Sequence, residues 1–248
     1  MTILQIGAIA LAGLLAGAVN AAVGSGSLIT FPTLLALGYP PVVANVSNTV
    51  GLVAGSISGA VGYRRELAGQ ARRALLLAIP AGLGGLLGAL LLLLLPQQVF
   101  SRVVIVLIAL AVVLVVVQPR ISRALSRHRE HRASRAILPP AVFATAIYGG
   151  YFGAAQSVIQ LALLGILVDD DLQRLNALKN VLTAVVNGMA AVVFAFSGRV
   201  NWEAALIIAA SSLVGGQLGA AGARRLRPDA LRLVIVAGGV AALVKLLL

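Results

Sequence analysis

Long runs of apolar residues recur along the whole chain and constrain its fold more than any other feature. A helix that crosses the roughly 30 Å hydrocarbon core of a bilayer needs about 20 predominantly apolar residues. Only 10% of the 248 residues are charged, against about 25% in a soluble domain. A soluble protein with a large core is therefore disfavoured, and we predict an all-α, polytopic membrane protein with lipid as a partner. The predicted spans are 42–62, 74–95, 99–117, 172–197, 202–223 and 231–248.

Two further apolar regions are interrupted by a break that contains glycine. The run after each break has about a dozen residues, which at 1.5 Å per residue reaches roughly 18 Å and is too short to cross. We interpret each region as a broken helical hairpin that enters the bilayer and returns to the same side. The long run, break and short run are 3–23, 24–26 and 27–37 in the first region, and 137–152, 153–155 and 156–168 in the second.

Basic residues concentrate in three connections and give the chain a formal net charge of +12. Because cytoplasmic loops carry an excess of Lys and Arg, we predict a multi-pass protein of the bacterial inner membrane with these connections in the cytoplasm. Nucleic acid is not a predicted partner, since the bases lie between apolar runs and not on one face of a folded domain. They are Arg64, Arg65, Arg72 and Arg73, then Arg120, Arg123, Arg127, Arg129, Arg132 and Arg135, then Arg224, Arg225 and Arg227.

The two halves of the sequence resemble each other at an offset near 131 residues. The segment GGLLGA at 84–89 matches GGQLGA at 215–220, and Asn48 falls opposite Asn180. Chance alignment of Gly, Ala and Leu is the alternative, but the shared order of elements favours a true repeat.

Each half contains one hairpin and three spans, which is an odd number of crossings, so the second half should be inverted relative to the first. The predicted fold is a helix bundle of two inverted repeats, 1–118 and 137–248, joined by a basic cytoplasmic linker, 119–136. Many secondary carriers have this plan and hold substrate near the midplane.

Polar residues at the two breaks are the first group of substrate-binding candidates. A glycine-rich break exposes backbone N–H groups, and the helix that restarts there points its positive end at the break, as in an anion site. The alternative is that the glycines only allow close helix packing. The candidates are Asn20, Gly24, Ser25, Gly26 and Ser27 in the first half, and Gln156 and Ser157 in the second.

A polar stripe on the span after each hairpin supplies the second group. Asn176, Asn180, Thr183 and Asn187 recur at spacings of four, three and four and so share one helical face. A weaker stripe in the first half includes Asn45, Asn48, Thr49 and Ser56. Such a stripe faces protein or water and not lipid. The alternative is that it only forms hydrogen bonds between helices and stabilises the bundle. The substrate-binding candidates are Asn48, Asn176, Lys179 and Asn180.

Lys179 is the only charged residue in the middle of a predicted span. Burying a cation there costs at least roughly 2.5 kcal/mol, and no carboxylate lies nearby in sequence. An anionic substrate is a sufficient partner for the ammonium. The alternative is that the side chain snorkels to the cytoplasmic interface.

Several functional classes lack the residues that they require. There is no mid-span Asp or Glu for a proton relay or an acidic channel ring, and no Gly-Lys-Ser/Thr loop for ATP hydrolysis. There is no cysteine, and both histidines, His128 and His131, lie in the linker, so neither a metal site nor a cofactor is predicted. With no mid-membrane nucleophile either, the chain is not expected to be an enzyme.

Five segments of the chain carry a resemblance to a known family: GSGSLITFPTLL at 24–35, ANVSNTV at 44–50, GYRREL at 62–67, YGGYFGA at 148–154 and NALKNVL at 176–182. They resemble the sulfite exporter TauE/SafE family, also called the 4-toluene sulfonate uptake permease family. This resemblance spans both halves and implies a secondary transporter, usually an exporter, of sulfite or an organosulfonate. We expect alternating access around a midplane site; an anion channel with its path between the hairpin tips is the alternative. A homodimer is compatible with so many glycine and alanine residues.

Overall fold

A computed structural model of the protein describes residues 1–127, 136–222 and 228–247, and within them every regular element is an α-helix. Side chains are described except at 119, 121–127, 228–234 and 247. The helices are α1 (Ile3–Ala22), α2 (Ser27–Ala36), α3 (Pro41–Gly62), α4 (Ala71–Leu94), α5 (Gln97–Arg127), α6 (Leu138–Tyr151), α7 (Gln156–Leu167), α8 (Leu172–Ala195), α9 (Trp202–Gly222) and α10 (Pro228–Leu247).

The all-α, polytopic membrane fold predicted from the sequence is confirmed. By length and composition, six helices of the described part could cross a membrane: α1, α3, α4, α8, α9 and the Gln97–Gln118 portion of α5. The arms α2 and α7 are short, with 10 and 12 residues. Helix α1 has 20 residues, so the first arm of its hairpin is itself long enough to cross. Helix α10 covers the predicted span 231–248 as far as residue 247, and its portion Ile235–Leu246 is a shorter apolar helix.

The predicted linker, 119–136, is only partly described. Helix α5 continues through Arg127, so the first part of the linker prolongs a span. The Arg120 side chain is exposed there, as are those of Arg64 and Arg65 in the α3–α4 connection and of Arg72 at the start of α4. The side chains at 121–135, which include both histidines, and the bases at 224–227 lie outside the described residues.

Burial is distributed as expected for a chain whose solvent is mostly lipid. Large apolar side chains face outward, as shown by Leu75 and Leu94 of α4, which are 70% and 78% exposed. Polar side chains such as Asn45, Gln160 and Lys179 are instead buried inside the bundle. Because lipid solvates Leu but not an amide, this arrangement suits a bilayer and not water.

The two halves pack across each other and not side by side. Helix α1 packs on α9 of the other half, and α6 packs on α4 in the same way; α3 and α8 pack on each other at the centre. The arms follow the same rule, since α2 contacts α10 and α7 contacts α5. The contacts of α1 with α9, of α3 with α9 and of α2 with α10 therefore have counterparts in those of α6 with α4, of α8 with α4 and of α7 with α5, as expected if the halves are structural repeats.

The matching glycine segments explain this crossed packing. Gly215 and Gly219 of α9 lie directly against the backbone of α1 at Leu14 and Ala18. In the other half, Gly84 and Gly88 of α4 lie against the α6 backbone around Ile147. A Cβ at any of these glycines would overlap main-chain atoms of the neighbouring helix. Small residues at these positions are thus what lets the helices of the two halves approach closely.

Candidate functional site

Both helical breaks end their first helix with the same backbone motif. The N–H groups of Val23 and Gly24 donate to Val19 O at 2.7 and 2.8 Å, and those of Phe152 and Gly153 donate to Tyr148 O at 3.0 and 3.2 Å. In each break, one carbonyl thus accepts from the residue four positions later and from the left-handed glycine five positions later. The φ angles of Gly24 and Gly153 are +92° and +78°, which glycine adopts without steric cost.

The tips of the two hairpins touch. Gly24 lies against Ser157, so close that a Cβ on Gly24 would overlap the Ser157 Cβ and lie 3.3 Å from its Oγ. Ser157 is the second residue of α7, so the first break contacts the start of the second returning helix. The breaks that the sequence separates by more than half of the chain therefore form one site.

Backbone N–H groups at this contact have no described partner. The described hydrogen bonds use neither the N–H groups of Ser25, Gly26 and Ser27 nor those of Ala155 and Ser157. The first N–H groups of a helix lack intrahelical acceptors, and a helix N-terminus carries about half a positive charge. The joined tips therefore present the positive ends of two helices, α2 and α7, near one point.

Lys179 and two asparagines of α8 bind the end of α1. Lys179 Nζ donates to Asn20 O at 3.0 Å, and the Nδ2 atoms of Asn176 and Asn180 donate to Ala21 O at 3.3 and 3.1 Å. Lys179 is 0% exposed, so its ammonium lies inside the bundle and does not snorkel. The three side chains stabilise the negative end of α1, where carbonyl groups lack intrahelical donors.

The other half contains a counterpart of this contact. Asn45 Nδ2 of α3 donates at 3.0 Å to Tyr151 O, the last residue of α6. Asn45 and Asn176 are 131 residues apart, as are Ser56 and Asn187, which bond each other at 3.1 Å between α3 and α8. These contacts favour a repeat offset of 131.

An offset of 131 pairs Asn48 with Lys179. Helix α3 thus carries a neutral amide at the position where helix α8 carries an ammonium. The sequence comparison pairs Asn48 with Asn180, one residue further along α8.

Several buried amides near the tips use only part of their hydrogen-bonding capacity. One end of the Asn48 amide bonds the Thr30 hydroxyl, and its other end has no partner. The Nε2 atoms of Gln156 and Gln160 are also buried and unpartnered. Leaving such groups unsatisfied costs about 1–3 kcal/mol each, so they are available to a bound ligand.

The remaining candidates at the first break have local roles. Ser25 Oγ donates to Gly24 O at 2.7 Å, and Gly26 lies against the Ala16 carbonyl of α1. For Gly26 the close-packing interpretation is therefore supported. Ser27 is half-buried at the start of α2, and Asn20 Nδ2 donates to Ser56 Oγ at 3.3 Å.

Sequence reasoning left two contributors out of the candidate set. Thr30 bonds Asn48, and Gln160 accepts at 3.1 Å from Thr183, whose hydroxyl also bonds Ser157 at 3.0 Å. A signal for both existed, because Thr30 and Gln160 are polar residues inside short apolar arms. Within the described residues, no group of three or more His, Cys, Asp or Glu could hold a metal ion.

An ion-pair cluster joins the two halves at one rim of the bundle. Asp170, just before α8, accepts from Arg73 Nη1 of α4 at 2.8 Å and from Arg174 Nε at 2.7 Å. Arg174 Nη1 also donates to Ala68 O at 3.1 Å. Partial burial alone would raise the pKa of Asp170, but hydrogen bonds from Arg73, the Asp171 backbone and Arg174 outweigh it and lower the pKa below 3.8.

Comparison with known proteins identifies the family. The family described as "Sulfite exporter TauE/SafE" matches residues 9–246. A "Probable membrane transporter protein" of Haemophilus influenzae is 26% identical over 84% of this chain and 81% of its own length. "Probable membrane transporter protein YfcA" of Escherichia coli K12 is 24% identical over 87% and 80%, and "Probable membrane transporter protein ORF9" of a Sinorhizobium species is 25% identical over 88% and 84%. No solved structure matches. The chain belongs to the sulfite exporter TauE/SafE family and is a membrane transporter.

Proposed function

We propose that this chain is a secondary transporter, in the exporting direction, of a small sulfur-containing anion such as sulfite or an organosulfonate. The observation that carries the proposal is the meeting of two helix breaks beside a fully buried lysine. The breaks supply two helix N-termini with unpaired N–H groups, and Lys179 supplies a positive charge. Family membership supports a sulfur anion, since the description of the family names sulfite.

The chemistry of the joined tips favours an anion over a cation or a neutral solute. A sulfonate or sulfite group offers oxygen acceptors, and the tips offer donors from the backbone, including the N–H of Ser157, and from the amides of Asn48 and Gln156. No acidic residue is among the buried polar residues of the described part. A cation would therefore meet the ammonium of Lys179 and no carboxylate, and only amide oxygens such as Asn45 Oδ1 and Asn176 Oδ1 would be free to accept it.

The contact between Gly24 and Ser157 supports a carrier more than a channel. A channel with its path between the hairpin tips needs space there, but the two residues are in van der Waals contact. In alternating access the halves move relative to each other around a bound substrate, so a closed contact at the site is expected in one state. We assign the protein to the inner membrane with its basic connections in the cytoplasm, where the negative-inside potential favours anion exit by about 2.3 kcal/mol per charge per 100 mV.

Uptake into proteoliposomes tests the proposal. Sulfite, sulfoacetate, thiosulfate and sulfate are compared for wild type, Lys179→Ala and Asn180→Ala. Lys245→Ala is the matched control, because Lys245 also donates to a helix-end carbonyl, Ala36 O at 3.0 Å, but is exposed and belongs to neither break.

We expect saturable uptake of a sulfur anion that Lys179→Ala abolishes and Lys245→Ala preserves. Failure of every sulfur anion would remove the substrate assignment. Flux that does not saturate would favour the channel. If a folded Lys179→Ala variant takes up the anion at the wild-type rate, the lysine is not part of the anion site, and the backbone of the tips alone forms it.

A further inference from the structure

We propose that the site selects its substrate by charge and takes a singly charged oxyanion in preference to a doubly charged one of the same size. This inference rests on the proposed function, because it needs an anion bound where the two hairpin tips meet. Its basis is the number and sign of the charges buried around that point.

The helix dipoles at the tips largely cancel. Each break places the end of one helix beside the start of the next: α1 beside α2, and α6 beside α7. A helix end carries about half a negative charge and a helix start about half a positive charge. The two breaks together therefore orient an anion toward the unpaired N–H groups but add little net charge.

Lys179 supplies the net charge of the site. It is the one charged side chain among the buried residues of the described part. The nearest described carboxylates along the chain, Asp170 and Asp171, precede α8: Asp170 is paired with Arg73 and Arg174, and Asp171 caps the helix. The bundle therefore offers its ligand about one uncompensated positive charge.

A continuous chain of contacts connects Lys179 to the tips. Its ammonium bonds Asn20 O at the end of α1, and Gly24 of the same break contacts Ser157. Ser157 bonds Thr183 at 3.0 Å, which lies one turn after Lys179 on the same face of α8. An ammonium has three donors, and the described hydrogen bonds use one of them.

The single positive charge of the site distinguishes monoanions from dianions, which hydrogen bonding alone would not distinguish. A monoanion beside Lys179 forms a neutral complex, whereas a dianion leaves one negative charge unpaired in a medium of low dielectric constant. Uncompensated buried charge is strongly unfavourable. The free amide donors of Asn48 and Gln156 and the backbone N–H of Ser157 serve three oxygens of either ligand without changing this balance. The substrate class is therefore a monoanionic oxyanion: an organosulfonate with no second acid group, or hydrogensulfite.

The repeat offers a way to change the charge of the site by one unit. Asn48 occupies in α3 the position of Lys179 in α8, and one end of its amide is buried without a partner. A lysine at this position would add a second ammonium on the opposite side of the tips. Asn48→Lys should therefore shift the preference toward dianions, and Asn48→Gln controls for the loss of the asparagine.

The experiment compares methanesulfonate with sulfate, two tetrahedral anions that differ by a methyl group in place of one charged oxygen. Wild-type protein in proteoliposomes should take up methanesulfonate with a kcat/KM about tenfold or more above that of sulfate. Asn48→Lys should reduce or reverse this ratio, while Asn48→Gln should keep it. Lys179→Gln should lose methanesulfonate uptake without gaining sulfate.

Equal or faster sulfate uptake by the wild type overturns the charge inference and leaves the transporter assignment intact. An unchanged ratio in a folded Asn48→Lys also overturns it. Absence of all sulfur-anion uptake instead refutes the proposed function. If only sulfite is transported, the KM for total sulfite should rise as pH increases and the dianion replaces hydrogensulfite. A KM independent of pH would then overturn the inference.

Discussion

The contact between the hairpin tips makes a quantitative prediction about Gly24. Alanine at this position meets two obstacles: a φ of +92° and overlap with Ser157. Gly38, between α2 and α3, provides a matched control, since its φ is +91° and nothing lies within 4 Å of a Cβ placed on it. The pair therefore separates backbone strain from the contact between the tips.

The expected costs follow from these two terms. Left-handed backbone costs an alanine about 1–2 kcal/mol, and this is the whole cost of Gly38→Ala. In Gly24→Ala the tips must also separate by about half an ångström to restore the 3.0 Å that real Cβ atoms keep from their neighbours. Overpacking of this kind costs typically about 1–3 kcal/mol. The Gly24 variant should thus be less stable than the Gly38 variant by about that second amount.

Thermal unfolding in one detergent, followed by the helical circular dichroism signal, measures the difference. The midpoint should fall for both variants and fall further for Gly24→Ala. Anion uptake should drop for Gly24→Ala and persist for Gly38→Ala, because only the first displaces the site. Equal midpoints would show that the tips do not touch in the folded protein, and the argument for a closed site would fail with them.

Two further predictions concern contacts between the halves. Asp170→Asn removes both ion pairs of the rim cluster, which stabilise the contact between the halves by about 0.5 kcal/mol for each exposed pair. Maleimide labelling of a single cysteine, introduced as Thr183→Cys in this cysteine-free chain, should therefore rise about fivefold. Asp169→Asn is the control and should leave the labelling unchanged. Because the pKa of Asp170 is lowered, these ion pairs persist as pH falls through the usual titration range of a carboxyl group and break only below it. Labelling that rises at mildly acidic pH would contradict the role of Asp170 in these ion pairs. Gly17→Ala should lower the thermal midpoint, since its Cβ would overlap the α9 backbone, at a cost of about 1–3 kcal/mol. Gly7→Ala on the same helix is the control, because a Cβ at Gly7 has no atom within 4 Å. An equal fall of the thermal midpoint for Gly7→Ala would refute the crossed packing.

Helix positions were predictable from the sequence because a helix that crosses the lipid bilayer needs about 20 apolar residues. The break at Gly24, for example, was visible as a glycine-rich interruption in an apolar run, and α2 begins at Ser27 as expected. Asp171 likewise starts α8, where its side chain accepts from Gln173 N, as expected of an aspartate that precedes a helix. Local signals of this kind need no knowledge of the rest of the fold.

Partners across the bundle could not be predicted in the same way. The sequence marked Lys179 as unusual but gave no indication that a carbonyl of α1 binds it. Every residue has a backbone carbonyl, so the sequence does not show which one will accept the bond. The repeat register at Asn48 stays a prediction for a related reason. Gly, Ala and Leu align nearly as well after a small shift, whereas the bond between Ser56 and Asn187 favours an offset of 131 in α3 and α8.

The crossed packing of the halves also determines when the protein can finish folding. Helix α1 is made and inserted first, but the face that carries Gly13 and Gly17 finds its partner only when α9 has been synthesised. Helix α4 likewise waits for α6. The first half therefore emerges from the ribosome with small-residue faces uncovered in the lipid, and neither half contains the contacts that would hold it in shape alone. Biogenesis is thus a single late event, in which the last third of the chain completes the structure of the first.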